Sequence, residues 1–145
     1  MANGDFEFID LTPDGRKFVA EFAAEVVEAG AIMVRDEVVK TIESGSPSGE
    51  LYTIPGTSTK YRASAEGEPP AVREGRYRDS WDYTPAVLEG NEFVASAFTD
   101  LLVGEHVLGE IFEFGTVNMR PRPHVRQSVA RAQERLKELI EDASK

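Results

Sequence analysis

Glu113-Phe114-Gly115-Thr116, running on through Val117-Asn118-Met119-Arg120-Pro121-Arg122-Pro123, is the stretch around which this chain is built. An apolar, β-like run over residues 105–114 enters it and ends in Ile111-Phe112-Glu113-Phe114. An amphipathic helix leaves it. Gly115 can reach positive φ without a steric cost, so the chain turns sharply there. Each proline fixes its own φ and pushes the residue before it towards extended backbone. Arg120 and Arg122 each precede a proline, so both are expected to be held extended and pointed outward. A rigid, cationic strand-to-helix elbow is a docking feature. No catalytic chemistry can be written for it.

Downstream of the elbow, residues 124–142 carry helical spacing. Val125, Val129, Ala132, Leu136, Leu139 and Ile140 form an apolar stripe. Upstream, residues 81–114 read as short strands: Trp81-Asp82-Tyr83-Thr84 interrupted at Pro85, then Ala86-Val87-Leu88. A turn at Glu89-Gly90-Asn91 leads to Glu92–Phe98, and 105–114 is the third extended segment. Short strands in succession imply an antiparallel meander with one face on a helix. Glu110 and Glu113, an odd number of residues apart, would then point to opposite faces. Glu113, a charge in an apolar run beside arginines, is expected to pair with an arginine.

The helix that covers the meander lies near the start. Thr12-Pro13-Asp14 reads as N-cap, first helical proline and first-turn acid. The helical pattern runs over residues 13–44, with Val19, Phe22, Val26, Met33 and Val38-Val39 on one broad side and Glu21, Glu25, Glu28 and Arg35 on the other. Gly45 and Pro47 close it. Unbroken, it spans about 45–50 Å, against a radius of gyration of about 15 Å for a domain of this size. The helix therefore projects beyond its own domain or bends, and Gly30 is the expected bend. Ahead of it, Phe6-Glu7-Phe8-Ile9-Asp10-Leu11 alternates like a short strand. Residues 45–75 are rich in Gly, Pro, Ser and Thr and read as a flexible, extended arm that orders against a neighbouring subunit, with Leu51–Ile54 able to pair briefly. Arg76–Trp81 follows as a short helical turn, with Trp81 as a core anchor. The fold class is α+β: two helices on a small antiparallel sheet of three or four strands, in one domain over residues 1–145.

Composition narrows the function. The chain has no cysteine, so no disulfide framework or thiolate metal site. No apolar run is long enough for a membrane span, and no basic-then-apolar leader is seen. A cytoplasmic site of synthesis and assembly is expected. The two histidines, His106 and His124, stand in no metal-ligand spacing, and there is no phosphate loop or nucleophile elbow. No cofactor and no enzymatic activity are expected. The net charge of −10 is uneven. Residues 1–50 carry 4 basic and 11 acidic side chains, and residues 81–119 carry 0 and 7. Residues 120–145 reverse this with 7 basic and 4 acidic. An acidic body with a basic elbow argues against general binding to phosphate backbones and suits subunits that meet acidic face to basic elbow.

Three stretches resemble a family of small morphogenesis proteins of tailed bacteriophages, the neck, tail-completion or minor tail-component proteins of head–tail joining. They are Glu113-Phe114-Gly115-Thr116 with Arg120-Pro121-Arg122-Pro123, then Arg62–Val72, then Glu74-Gly75-Arg76-Tyr77-Arg78-Asp79-Ser80. With the long first helix they cover most of residues 13–140. The chain departs from the family pattern at Leu108 and Ile111, where tyrosines are usual, at His124, often Phe, and at Glu74, usually Thr. The resemblance implies a non-enzymatic virion protein forming a homo-oligomeric ring, six-fold by likeness to tail-tube partners, at the head–tail neck or tail top. Its neighbours would be head-closure and tail-terminator or tail-tube proteins. Genome DNA would pass through an acidic lumen without sequence-specific binding. The expected subunit interface comprises Lys60, Tyr61, Arg62, Arg76, Glu113, Phe114, Gly115, Thr116, Arg120 and Arg122. The rival reading is a small nucleic-acid-binding module using the basic loop 60–78, with Lys60, Tyr61, Arg62, Arg73, Arg76 and Arg78.

Overall fold

The computed structural model describes residues 12–145; the strand expected over Phe6–Leu11 lies outside them. Helix α1, Pro13–Glu43, begins as its sequence dictates. Thr12 Oγ1 accepts from Gly15 N–H at 3.2 Å, Pro13 opens the first turn, and Asp14 faces the positive end of the helix dipole. The helix is one continuous segment of 31 residues. The expected bend at Gly30 does not divide it. Gly30 instead permits close approach: a Cβ there would stand 3.2 Å from Leu136 Cδ2 of the C-terminal helix.

That helix, α4, spans Val125–Ala143 and packs antiparallel on the C-terminal half of α1. Thr41 Oγ1 lies 2.9 Å from Ser128 Oγ, and Arg135 Nη1 lies 2.9 Å from Glu37 Oε1. Among the described residues, Ala31, Val38, Ile42 and Ala132 are the buried apolar residues of the core. Polar groups share the seam. Glu37 is only 3% exposed, and its carboxylate sits between Arg131 and Arg135. The register of these pairs sets the end of α4 beside roughly the middle of α1. No residue of α1 before Ala31 is buried.

Among the described residues the strands form four separate two-stranded antiparallel ribbons, not a continuous meander. β1 (Leu51–Thr53) pairs with β2 (Lys60–Arg62), and β4 (Val87–Glu89) pairs with β5 (Glu92–Val94). β3 (Asp82–Tyr83) pairs with β6 (Ala97–Phe98), and β7 (Leu102–Val103) pairs with β8 (His106–Val107). Pro85 removes a ladder donor between β3 and β4, and the runs of two or three residues are too short to propagate a sheet. Between β2 and β3, residues Arg76–Asp79 form the short helix α2.

The extended segment expected over 105–114 is corrected. Only His106–Val107 is strand, and Leu108–Phe114 is a helix, α3. Leu108, Ile111 and Phe112 recur at helical spacing, which the short apolar run disguises. Gly109 fits this helix against Thr99 and Tyr77; a Cβ there would meet Thr99 Cγ2 at 3.0 Å and Tyr77 Oη at 3.2 Å. Gly115 ends α3 at φ 73° and ψ −176°, a region open in practice to glycine alone. The elbow therefore joins helix to helix. Glu110 and Glu113, three residues apart on α3, lie on one side of it and line the same cleft, not opposite faces.

Candidate interaction surface

The arm over residues 45–75 is more ordered in the single chain than its composition implies. Its base is closed by Gly49 N–H to Ala63 O at 2.8 Å, Ala63 N–H to Glu50 O at 2.9 Å, and the Glu68 carboxylate accepting from Ser48 and Ala65 N–H. The Ser48 hydroxyl and these backbone donors hold the Glu68 carboxyl below the usual carboxylate range. Gly67 N–H reaches Pro121 O at 3.1 Å, and Arg120 lies 3.9 Å from Glu66, so the arm is fastened to the elbow. The arm expected over residues 45–75 carries, within the single chain, a tethered β-ribbon. Backbone pairing between Leu51–Thr53 and Lys60–Arg62 satisfies donors that a coil would leave to water.

The elbow is held from both sides. Thr116 N–H donates to Met119 O at 2.8 Å, and Thr116 Oγ1 accepts from Asn118 and Met119 N–H. Arg122 N–H donates to Phe112 O at 2.6 Å. Arg120 points outward as expected, whereas Arg122 does not. The Arg122 guanidinium folds back onto the Arg120 and Pro121 carbonyls, where backbone oxygens satisfy it without an acid.

Glu113 makes no arginine pair. Its carboxylate accepts from the backbone N–H groups of His124 at 2.8 Å, Val125 at 2.9 Å and Arg126 at 3.2 Å. It caps α4, which has no side-chain cap of its own and no acid in its first turn. Burial pushes the Glu113 carboxyl up, but these donors outweigh it and hold the group below the usual carboxylate range. Beside it, His124 is fully buried. His124 Nδ1 lies 2.9 Å from Arg122 O, which makes it the donor, so Nε2 accepts from Tyr77 Oη at 2.5 Å. Burial pulls the imidazole down and keeps it neutral; the Arg122 carbonyl and the Glu113 charge offset this in part. Burial likewise pushes the Tyr77 phenol up. Trp81 and Phe112 pack edge-on against the same Tyr77–His124 pair. This junction of α2, α3 and α4 was not singled out in the sequence. The nearest signal was His124 at the helix start.

Of the ten expected interface residues, five face two clefts flanking α3 and five lie on β2 or in the elbow turn. Glu113 and Phe114 face a cleft of about 630 Å³ with Trp81, Phe98 and Val129. Tyr61, Arg76 and Arg122 face a groove of about 480 Å³ between α3 and the arm. Lys60 and Arg62 lie on β2, where Arg62 Nη1 donates to Gly49 O at 2.9 Å. Gly115, Thr116 and Arg120 form the elbow turn itself. Tyr61 stacks on Tyr52 at 5.8 Å, with the Arg73 guanidinium 5.5 Å from its ring centre. Arg73 lies 3.5 Å from Glu74, and Arg78 pairs with Asp79 at 2.7 Å and Glu43 at 3.7 Å. The sequence reading missed the apolar floor of that groove, including Leu102, Val103 and Val72, exposed by 56%, 54% and 41%.

A second exposed apolar region lies along the early half of α1. Phe18 is 68% exposed and Phe22 45%, and Val87 and Leu88 on the β4–β5 hairpin are exposed too. Leu139 and Ile140 near the end of α4 are also exposed. Among the described residues no His, Asp and Glu group is arranged to hold a metal ion, and no helix is long and apolar enough to cross a membrane. No protein-family model, curated protein or solved structure matches the chain.

Proposed function

We propose that this chain is a structural, non-enzymatic ring subunit of the neck or tail top of a long-tailed phage, aiding head–tail joining and DNA passage. One observation carries the assembly part of this reading: α1 has no buried residue before Ala31, while Phe18 and Phe22 stand exposed on it. An isolated subunit leaves that apolar surface in water, and a neighbour covers it. The motif resemblance supplies the virion context. A head-to-tail contact between unlike surfaces closes into a ring when its rotation allows. The net charge of −10 suits a lumen that repels DNA and lets it slide. The nucleic-acid reading is the weaker one, because Arg73 and Arg78 of its six residues already face carboxylates and Tyr61 is stacked on Tyr52.

Light scattering on the purified chain and mass spectrometry of purified virions test this together. The expected result is a closed oligomer, six times 16.0 kDa for six-fold symmetry, and the chain's presence in particles. A strictly monomeric protein missing from virions overturns it. Tight DNA binding with a steep salt dependence favours the rival.

A further inference from the structure

We infer that the groove between α3 and the arm receives residues Phe6–Leu11 of a second copy of this chain. The inference rests on the ring reading and names the contact that would build it. The groove has an apolar floor and a cationic rim. Leu102, Val103 and Val72 are more than 40% exposed on it, which is unusual for three large apolar side chains in one concavity. Arg76 and Arg122 line the same groove, and neither makes an ion pair with a carboxylate among the described residues. The one carboxylate there, Glu74, is answered by Arg73 at 3.5 Å. Among the described residues, β7, which supplies Leu102 and Val103, has a strand on one edge only. A complementary occupant is an extended segment with large apolar side chains and acidic ones between them.

The chain contains such a segment. Phe6, Phe8, Ile9 and Leu11 are apolar, Glu7 and Asp10 are acidic, and no basic residue occurs before Arg16. Reach decides which copy supplies it. Leu11 is joined to α1 through Thr12 alone, whereas Ile42, near the other end of α1, lines the groove. The helical rise from Pro13 to Ile42 is about 44 Å at ~1.5 Å per residue. Six extended residues cover only about 20 Å. A subunit's own segment therefore cannot enter its own groove, and occupancy is between copies. Donor and acceptor surfaces differ, so outside a reciprocal exchange between two copies the contact runs head-to-tail.

The chain has no cysteine, so engineered thiols react alone. Full-length Phe8→Cys and Leu102→Cys proteins are mixed and oxidised. A disulfide-linked heterodimer is expected, lost when Arg76→Glu is added to the Leu102→Cys chain. In parallel, a fluorescent peptide of residues 3–14 is titrated against the wild-type chain. Saturable binding is expected, weakened about tenfold or more by Arg76→Glu or Leu102→Asp, both exposed positions, with the circular dichroism melt unchanged. No cross-link and no peptide binding overturn the inference. Rings that persist in a Phe6→Ser/Phe8→Ser/Leu11→Ser triple variant overturn it while the ring reading stands. A chain missing from virions overturns the ring reading, and peptide binding then still reads the groove by itself. Displacement of the peptide by a DNA oligonucleotide assigns the groove to nucleic acid and also overturns it.

Discussion

Replacing Glu113 by alanine should loosen α4 from the rest of the molecule. The carboxylate, 12% exposed, terminates three backbone donors at the start of α4. His124, at the N-cap position, supplies no side-chain bond, and no acid lies in the first turn. Loss of an N-cap acceptor typically costs about 1 kcal/mol. Loss of a negative charge at a partly buried helix N-terminus costs up to about 2 kcal/mol more. A total of about 2–3 kcal/mol corresponds to a Tm lowered by roughly 6–12 °C for a chain of this length. Glu113→Gln keeps one acceptor and loses the charge, so it should fall between wild type and alanine. Thermal melts by circular dichroism at pH 7 read all three.

The pH dependence separates this capping role from mere loss of packing. The folded-state pKa of Glu113 is depressed, so the unfolded chain binds more protons as the pH falls through the carboxylate range. The stabilisation is fully present above the unfolded value, near 4.3–4.5, and is lost as pH falls through the folded value. The gap in Tm between wild type and Glu113→Ala should therefore narrow below about pH 4.5. A gap that stays constant down to pH 3, or a Tm change under about 2 °C at pH 7, refutes the capping argument.

His124 is held neutral, with its pKa depressed, so the unfolded chain takes up a proton first as pH falls below about 6.5. Stability should fall from pH 7 towards pH 5, and His124→Phe should flatten that slope in the same melts. Gly115→Ala should cost about 3 kcal/mol or more, because φ is +73° and the new Cβ would meet Met119 O at 2.6 Å and Pro121 N at 2.9 Å; urea unfolding measures it. Glu37→Met should be neutral or stabilising by ~1 kcal/mol or so, since it removes a buried carboxylate held by two half-exposed arginines. Phe18→Ser/Phe22→Ser should leave the monomer's stability within about 0.5 kcal/mol yet lower the oligomer's mass in light scattering.

Helices with caps and long periodic stripes are legible in the sequence. Thr12-Pro13-Asp14 fixed one start, and the Val125–Ile140 stripe fixed the second helix. The run Leu108–Phe114 is not, for a physical reason. Seven residues with four apolar or aromatic side chains and a glycine show too little polar contrast to tell period two from period 3.6. Gly109 is a poor helix former by propensity alone. Its close approach to Tyr77 and Thr99 is a tertiary gain that local sequence does not carry. The arm misled in the opposite way. Its Gly and Pro content resembles a disordered strap, but Glu68 gathers three donors, two from Ser48 and one from Ala65, into a closed base. Of the expected interface, Glu113 was recognised as unusual and assigned the wrong partner, because helix N–H groups become visible as ligands only once α4 has a direction.

That reassignment changes what the elbow does. An arginine-paired Glu113 would have been one more ion pair among others. As a cap, it ties the last turn of α3 to the first turn of α4 across the Gly115–Pro123 turn. Arg122 N–H to Phe112 O and Gly67 N–H to Pro121 O then add the arm to the same junction. The groove between arm and α3 is consequently framed by segments that share one hydrogen-bonded corner, while the early half of α1 lies at the opposite end of the molecule without a buried residue. A receptor groove at one end and a partly exposed apolar stretch with Phe18 and Phe22 at the other is a polar arrangement. The proposed contact would join the end of one copy to the corner of the next, and a ring built on it pairs no two copies reciprocally. Mixed cross-linking should therefore yield species larger than dimers when both thiols sit on one chain. A product stopping at two copies would refute the head-to-tail geometry.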